Sequence, residues 1–186
     1  MAKSVAQFLR PEWLLVSAAI AALSYGSPLL ADLLPTAQSP SSLKPYADIA
    51  SFRPHYVLEH QDETTVKLHA TGTTLSVLLT LFNPEFFAAG ILAIMCGQIA
   101  FPVFRHHDHG AVEALVVLFV FFTTTKFLRG SVSTAVLVLL IGYAFAWTGH
   151  FFFEHNKPAT LIYPTYSLVC DFLLWAETIT GTTITI

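Results

Sequence analysis

Apolar residues lie in four long runs in the second half of the chain, at residues 70–82, 86–104, 111–125 and 132–153. Short separators with turn-forming or charged residues divide these runs. A charged side chain at the centre of a bilayer costs about 2.5 to 3.5 kcal/mol, so the separators mark the ends of the runs. The pattern predicts four helices that cross a membrane alternately up and down, joined by short loops.

A further apolar segment, at residues 13–34, is also long enough to cross a hydrocarbon core, which needs roughly 20 apolar residues. Pro28 and Asp32 weaken its distal end. Because Lys3 and Arg10 precede a stretch rich in small residues, a cleaved secretory signal is the alternative. We therefore expect about four to five transmembrane helices.

The last apolar stretch, residues 161–175, is interrupted by Pro164 and Asp171 and is short for a span. It predicts an interfacial or re-entrant C-terminal helix. The expected fold is all-α, an integral membrane helical bundle with this helix added.

A segment rich in proline and serine, without sustained periodicity, separates the N-terminal apolar segment from the rest. The sequence thus predicts three parts: an N-terminal membrane anchor or signal-like segment at 1–34, a linker at 35–54, and a helical membrane domain at 55–186.

Composition agrees with a membrane environment: 54% of residues are hydrophobic and 11% are charged, against about 25% charged in soluble proteins. The Lys and Arg residues are scattered and the formal net charge is -3, so no basic stripe favours nucleic acid as a partner. Cys96 and Cys170 lie in apolar runs and are interpreted as small buried residues.

The histidines are distributed so that up-and-down helices would bring all of them to one side of the membrane. On this side of the membrane, the first and third runs would begin and the second and fourth runs would end. The residues concerned are His55, His60, His69, His106, His107, His109, His150 and His155. Lys and Arg are slightly enriched on this side, which favours the cytosol.

The strongest candidate for chemistry is the pair His150 and Glu154, which the spacing i, i+4 places one above the other on a helix. An imidazole and a carboxylate so placed can bind one metal ion. Ionisable groups embedded at the end of a span are functional candidates. An ion pair between Glu154 and Lys157 is the structural alternative.

His60 and His69 are candidates to join this pair, although their separation of nine residues is weak evidence by itself. A single histidine at a membrane interface is more often hydrogen-bonded than metal-bound. The loop histidines His106, His107 and His109 offer a second possible metal site, or an ordinary solvated connector. Imidazoles with a carboxylate suit ferrous iron, Fe2+, with open positions for substrate and oxygen, and zinc is the competitor.

Two blocks of sequence resemble the fungal-type 2-hydroxy fatty acid dioxygenase family of membrane proteins and its bacterial relatives. They are YVLEHQDETTVKLHATGTTL and GYAFAWTGHFFFEHNKPATLIYPTYSLVCDF. The resemblance places the histidines of the family on His60, His69 and His150, its acidic residue on Glu154, and a further acidic position on Asp171. It also matches the polar turn of the family to a segment that begins at Asn156.

This resemblance implies an iron(II)-dependent enzyme that uses O2 to shorten a 2-hydroxy fatty acid by one carbon, with release of CO2, as in sphingoid-base breakdown. His60, His69, His150 and Glu154 would be catalytic metal ligands, and Asn156 and Lys157 would bind substrate, with Lys157 neutralising its carboxylate. The expected location is the endoplasmic reticulum membrane in a eukaryote or the inner membrane in a bacterium. The alternatives are a zinc-dependent membrane hydrolase and a non-catalytic lipid-binding or scaffolding protein.

Overall fold

A computed structural model describes residues 39–183, which form helices joined by turns and loops, with no strand among them. A π-helical turn, His150–Glu154, continues the fifth helix, and a short 3-10 turn, Ala159–Leu161, precedes the sixth. The helices are α1 Ile49–Leu58, α2 Glu63–Leu81, α3 Pro84–Phe104, α4 Ala111–Arg129, α5 Ser133–Gly149 and α6 Pro164–Thr180. The predicted N-terminal anchor lies outside the described residues.

Three of these helices are long and apolar enough to cross a membrane, judged by length and composition: α3, α4, and α5 together with its π-helical turn. The all-α membrane class is therefore confirmed. The predicted count of four to five spans is too high for the described residues. The apolar run at 70–82 forms only the second half of α2, whose first half carries Glu63 and Lys67, so α2 is not apolar over the length of a span.

The helices pack in two main pairs, α3 against α4 and α2 against α5. The second pair approaches closely at Gly72, where an added Cβ atom would lie 2.7 Å from the Cβ of Phe145. Small residues allow such close contact between helices in membranes. This contact holds α2, which carries His69, against α5, which leads into His150.

Helix α6 is continuous, and neither Pro164 nor Asp171 interrupts it. Pro164 occupies the first turn, where the missing N–H would have no helical partner. Asp171 lies in the middle of the helix, and its two carboxylate oxygens accept hydrogen bonds from α2. Pro164 therefore marks the start of the helix, and Asp171 joins α6 to α2. Helix α6 lies within the bundle, because it packs against α1, α2 and α4.

The predicted boundary between a linker at 35–54 and a domain at 55–186 falls inside α1. This helix starts with a capping box in which Asp48 and Ser51 bind each other's backbone N–H groups. Before it, Lys44 is fully buried and its Nζ donates to Glu113 Oε1 at 2.5 Å. The described part of the predicted linker therefore folds with the bundle, through tertiary contacts that composition does not reveal.

An aromatic core lies at the histidine end of the bundle, where α1, α3 and α6 meet. Its rings are Phe52, Tyr56, Phe101, Tyr163 and Tyr166, all buried. The Tyr56 ring extends this core to the histidines, because it stacks on His60 with centroids 4.0 Å apart. The core thereby supports the site from one side.

Candidate metal centre

Three buried histidines converge between α1, α2 and α5. His60 lies in the turn between α1 and α2, His69 lies in α2, and His150 opens the π-helical turn after α5. One ring nitrogen of each lies within 4.8 Å of those of the other two. The ring centroids are 4.6, 4.7 and 5.2 Å apart, so the rings surround a common point.

Local sequence explains where each ring lies. Asp62 caps α2 by accepting hydrogen bonds from the N–H groups of Thr64 and Thr65, so the chain turns sharply just after His60. On the other side, a π-helical turn displaces the chain after α5, and such turns are frequent at functional sites. That turn ends at His155, in the left-handed conformation with φ 54°.

Each histidine uses its Nδ1 to donate a hydrogen bond to an oxygen acceptor. His60 donates to Tyr56 O at 2.6 Å, His69 to Asp171 Oδ1 at 2.5 Å, and His150 to Asn156 Oδ1 at 2.7 Å. Because carbonyl and carboxylate oxygens only accept, these contacts place the ring hydrogen on Nδ1. The Nε2 lone pairs are left as the candidate ligands, as in metal sites whose histidines are oriented by outer partners.

The Nε2 atoms of His60 and His69 are buried and have no hydrogen-bond partner among the described residues. A buried polar atom without a partner is costly, and an ion is one of its common explanations. Burial, followed by the neighbouring His69, lowers the pKa of His60 to about 3. His60 is therefore neutral at physiological pH, the form that binds a metal, and the three donors fit a divalent cation.

Glu154, predicted as a fourth ligand, does not belong to this group. Its Oε1 accepts a hydrogen bond from the Asp62 N–H at 2.7 Å. The physical reason is the π-helical turn, whose i→i+5 bonding removes the register in which Glu154 would lie above His150. Glu154 remains close to Glu59. Burial raises the pKa of Glu59, the neighbouring His55 lowers it, and the charge of Glu154 raises it further, so that the net shift is upwards.

Asn156, predicted to bind substrate, makes two hydrogen bonds within the site. Its Nδ2 donates to Glu59 O at 3.0 Å, which turns Oδ1 towards the His150 ring. The amide therefore joins the turn before His60 to the π-helical turn that carries His150.

Lys157, in contrast, is exposed and lines a cleft of about 690 Å³ at the histidine end of the bundle. The lining is mostly apolar, and its histidine, acidic and basic members are His55, Glu59, His109 and Lys157. Glu59 and Lys157 are the chain neighbours of His60 and Asn156, so the cleft adjoins the two turns that carry these residues.

The loop histidines His106, His107 and His109 stay outside the buried group. Their loop is held by structural contacts, among them a hydrogen bond from Ser41 Oγ to Asp108 Oδ1 at 2.5 Å. The arrangement favours the connector interpretation of this loop over a second metal site.

Reasoning from sequence gave Asp171 and Tyr56 no role as partners of the histidines. An ionisable residue within an apolar helix is a signal for function. For Asp171, the apolar pattern predicts only an interruption of the last apolar stretch, and the resemblance adds an acidic position of the family without naming its partner. For Tyr56, the sequence shows only an aromatic residue four positions before a histidine, which does not predict that the two rings stack.

A family model described as "Mpo1-like: 2-hydroxy-palmitic acid dioxygenase Mpo1-like" matches residues 46–183. The match covers most of the chain and includes the three converging histidines. Neither the curated proteins nor the solved structures contain a significant match.

Proposed function

The chain belongs to the Mpo1-like family, and from this premise we propose that it is an iron(II)-dependent membrane dioxygenase acting on 2-hydroxy fatty acids. The net reaction is R–CH(OH)–COOH + O2 → R–COOH + CO2 + H2O, so the acyl chain loses one carbon. The observation that carries the proposal is the buried group of three histidines whose Nδ1 atoms are all held by oxygen acceptors.

His60, His69 and His150 would hold the metal ion. Because three imidazoles are fewer ligands than iron usually takes, these residues would leave room at the ion for substrate and O2. Bound iron would supply the one-electron chemistry that O2 requires and polarise the substrate oxygens. Burial keeps His60 neutral and its neighbours keep all three rings oriented, so the chain supplies a site that needs little rearrangement.

Other residues would position the substrate. The exposed Lys157 ammonium is suited to the substrate carboxylate, because a charge-assisted hydrogen bond can form at the mouth of the cleft. Glu154 is our candidate for an acceptor of the hydroxyl proton, since only its Oε1 is bound by Asp62. Phe152 and Phe153, which follow His150, are 70% and 42% exposed and offer apolar surface to an acyl chain in the lipid.

Elemental analysis combined with a turnover assay tests the proposal. After anaerobic reconstitution with Fe2+, the detergent-purified protein is expected to retain stoichiometric iron. Supplied with 2-hydroxypalmitate and O2, it should release the one-carbon-shorter acid and CO2 in equal amounts. Protein reconstituted with Zn2+ is the matched control and should not consume O2. A protein that retains no metal after reconstitution, or iron-loaded protein without this product, would contradict the proposal.

Substitution of Lys157 by alanine is expected to raise KM for 2-hydroxypalmitate by about 10- to 100-fold while kcat changes little. A charge-assisted hydrogen bond contributes about 1.5 to 3 kcal/mol, and a carboxylate contact made equally in the ground and transition states affects binding alone. Steady-state oxygen consumption measures both constants. Lys67→Ala, which removes an exposed lysine paired with Glu63 on α2, is the control, and an unchanged KM in Lys157→Ala would remove Lys157 from the substrate site.

A zinc-dependent hydrolase is the second candidate function, because three imidazoles without a thiolate also form the ligand set of catalytic zinc sites. The metal analysis separates the two proposals. Tight zinc with no oxygen consumption would favour the hydrolase.

We further propose that the enzyme resides in the endoplasmic reticulum membrane if the source is a eukaryote, and in the inner membrane if it is a bacterium. The three apolar helices support a membrane location without indicating the compartment. A membrane location would let a long acyl chain reach the site without leaving the lipid.

A further inference from the structure

Asp171 is the only carboxylate among the described residues that hydrogen-bonds one of the three converging histidines. It approaches from α6, and its side chain is 19% exposed. Oδ1 accepts from His69 Nδ1 at 2.5 Å and Oδ2 accepts from Thr73 Oγ1 at 2.6 Å. Both donors belong to α2, so one carboxylate holds a ring and the helix that carries it.

The contact between Asp171 and His69 also has an electrostatic role, beyond joining α6 to α2. A divalent cation held by three neutral imidazoles would keep its full charge in a buried site, which is costly without a compensating anion. Glu154 is bound by a backbone N–H and lies outside the ligand group. The Asp171 carboxylate places negative charge at Nδ1 of His69, the ring nitrogen that would not bind the ion. A carboxylate in this position raises the basicity of the imidazole and fixes its tautomer.

The surrounding residues hold Asp171 in place. Trp175 Nε1 donates to Thr74 Oγ1 at 2.9 Å, which joins α6 to α2 one turn further on. Next to Asp171 in the chain, Cys170 is fully buried in the aromatic core.

We propose that Asp171 is a positioning residue of the metal centre: its carboxylate orients His69, fixes the tautomer in which Nε2 faces the ion, and supplies negative charge that the three neutral ligands lack. This inference rests on the part of the proposed function that assigns a metal to the three histidines. It is independent of the substrate and of the reaction.

Metal affinity, measured by competition with a chelator, tests the role apart from activity. Asp171→Asn keeps the shape and an acceptor oxygen but removes the charge, and is expected to weaken Fe2+ and Co2+ binding by about 10- to 100-fold. The visible absorption bands of bound Co2+ should also shift, because His69 becomes a weaker donor. A purely structural residue would change neither the bands nor the affinity of protein that remains folded.

The matched control is Glu177→Gln, which removes a carboxylate of the same helix that pairs with Arg53 and lies away from the histidines. It should leave metal affinity unchanged. Wild-type affinity in Asp171→Asn, or an equal loss in both variants, would overturn the inference. If Asp171→Asn does not fold, Thr73→Val, which removes only the donor to Oδ2, decides the matter: a weakening of a few-fold supports the role and wild-type affinity overturns it.

The same measurements separate this inference from the proposed function. Wild-type protein that binds no metal would overturn both. Wild-type protein that binds metal but does not oxidise 2-hydroxy acids would contradict the dioxygenase proposal only, and the comparison of Asp171→Asn with Glu177→Gln would still decide the role of Asp171.

Discussion

Replacement of any one of His60, His69 and His150 by alanine is expected to abolish stoichiometric metal binding and to lower turnover by at least about a hundredfold. Apparent binding free energies of about 10 to 16 kcal/mol for four-ligand zinc sites correspond to about 3 kcal/mol for each ligand, or about two orders of magnitude in affinity. The loss should be of similar size at all three positions, because each ring contributes one inward-facing nitrogen.

Metal content and oxygen consumption of the purified variants measure this effect, and thermal unfolding in detergent checks that each variant is folded. His106→Ala and His107→Ala are matched controls from the loop outside the buried group, and they should retain metal and turnover. Full turnover in folded His60→Ala, His69→Ala and His150→Ala would show that the ligand assignment is wrong. In the scaffold interpretation, by contrast, these substitutions would affect stability alone.

Substitution of Glu113 by alanine is expected to destabilise the folded protein by about 3 to 5 kcal/mol, because it leaves the Lys44 ammonium buried without its counter-charge. Lys44 and Glu113 are 0% and 1% exposed and their charged atoms are 2.5 Å apart. The loss should appear as a large decrease in the thermal unfolding midpoint in detergent, with metal binding retained below that midpoint.

The double substitution Lys44→Met with Glu113→Leu serves as the control, since an apolar pair of similar volume removes both charges and should recover most of the lost stability. Glu63→Ala, which breaks an exposed pair with Lys67, should have no measurable effect on the midpoint. Wild-type stability in Glu113→Ala would mean that the segment before α1 contributes little to the fold, as the linker interpretation had it.

The class of fold and the identity of the three histidines could be predicted because they depend on chemistry that is visible along the chain. Long apolar runs avoid water and need no partner to be recognised as membrane helices. Alternating helices bring their like ends together, so the neighbourhood of His60, His69 and His150 followed from the order of the runs. The two sequence blocks that contain these histidines resemble the 2-hydroxy fatty acid dioxygenase family, and the family model that matches residues 46–183 confirms this resemblance.

The number of spans was less predictable because the ends of a helix depend on its surroundings. The run at 70–82 is apolar, but α2 begins earlier, at Glu63, where Asp62 provides the cap. Within the first half of α2, Thr65 is buried and its Oγ1 donates to Gly149 O at 3.3 Å, whereas Glu63 and Lys67 are exposed. The hydropathy of the run at 70–82 does not show where the helix that contains it begins.

The roles of Glu154, Asn156 and Asp171 depended on the tertiary structure. An α-helical register places Glu154 above His150, but a π-helical turn at that point removes this register. Asn156 binds His150 and the Glu59 carbonyl together only because the two turns meet in space. Asp171 reaches His69 across 102 positions of sequence, a distance over which no periodicity carries information.

The sequence by itself determined that this is a helical membrane protein with histidines gathered at one end, because burial of apolar side chains and exclusion of charge from lipid act on each segment separately. Only the tertiary structure decided which polar groups meet. Hydrogen bonds and metal ligation require atoms within about 3 Å of one another, and that precision comes from the packing of α1, α2, α5 and α6 around the three imidazoles.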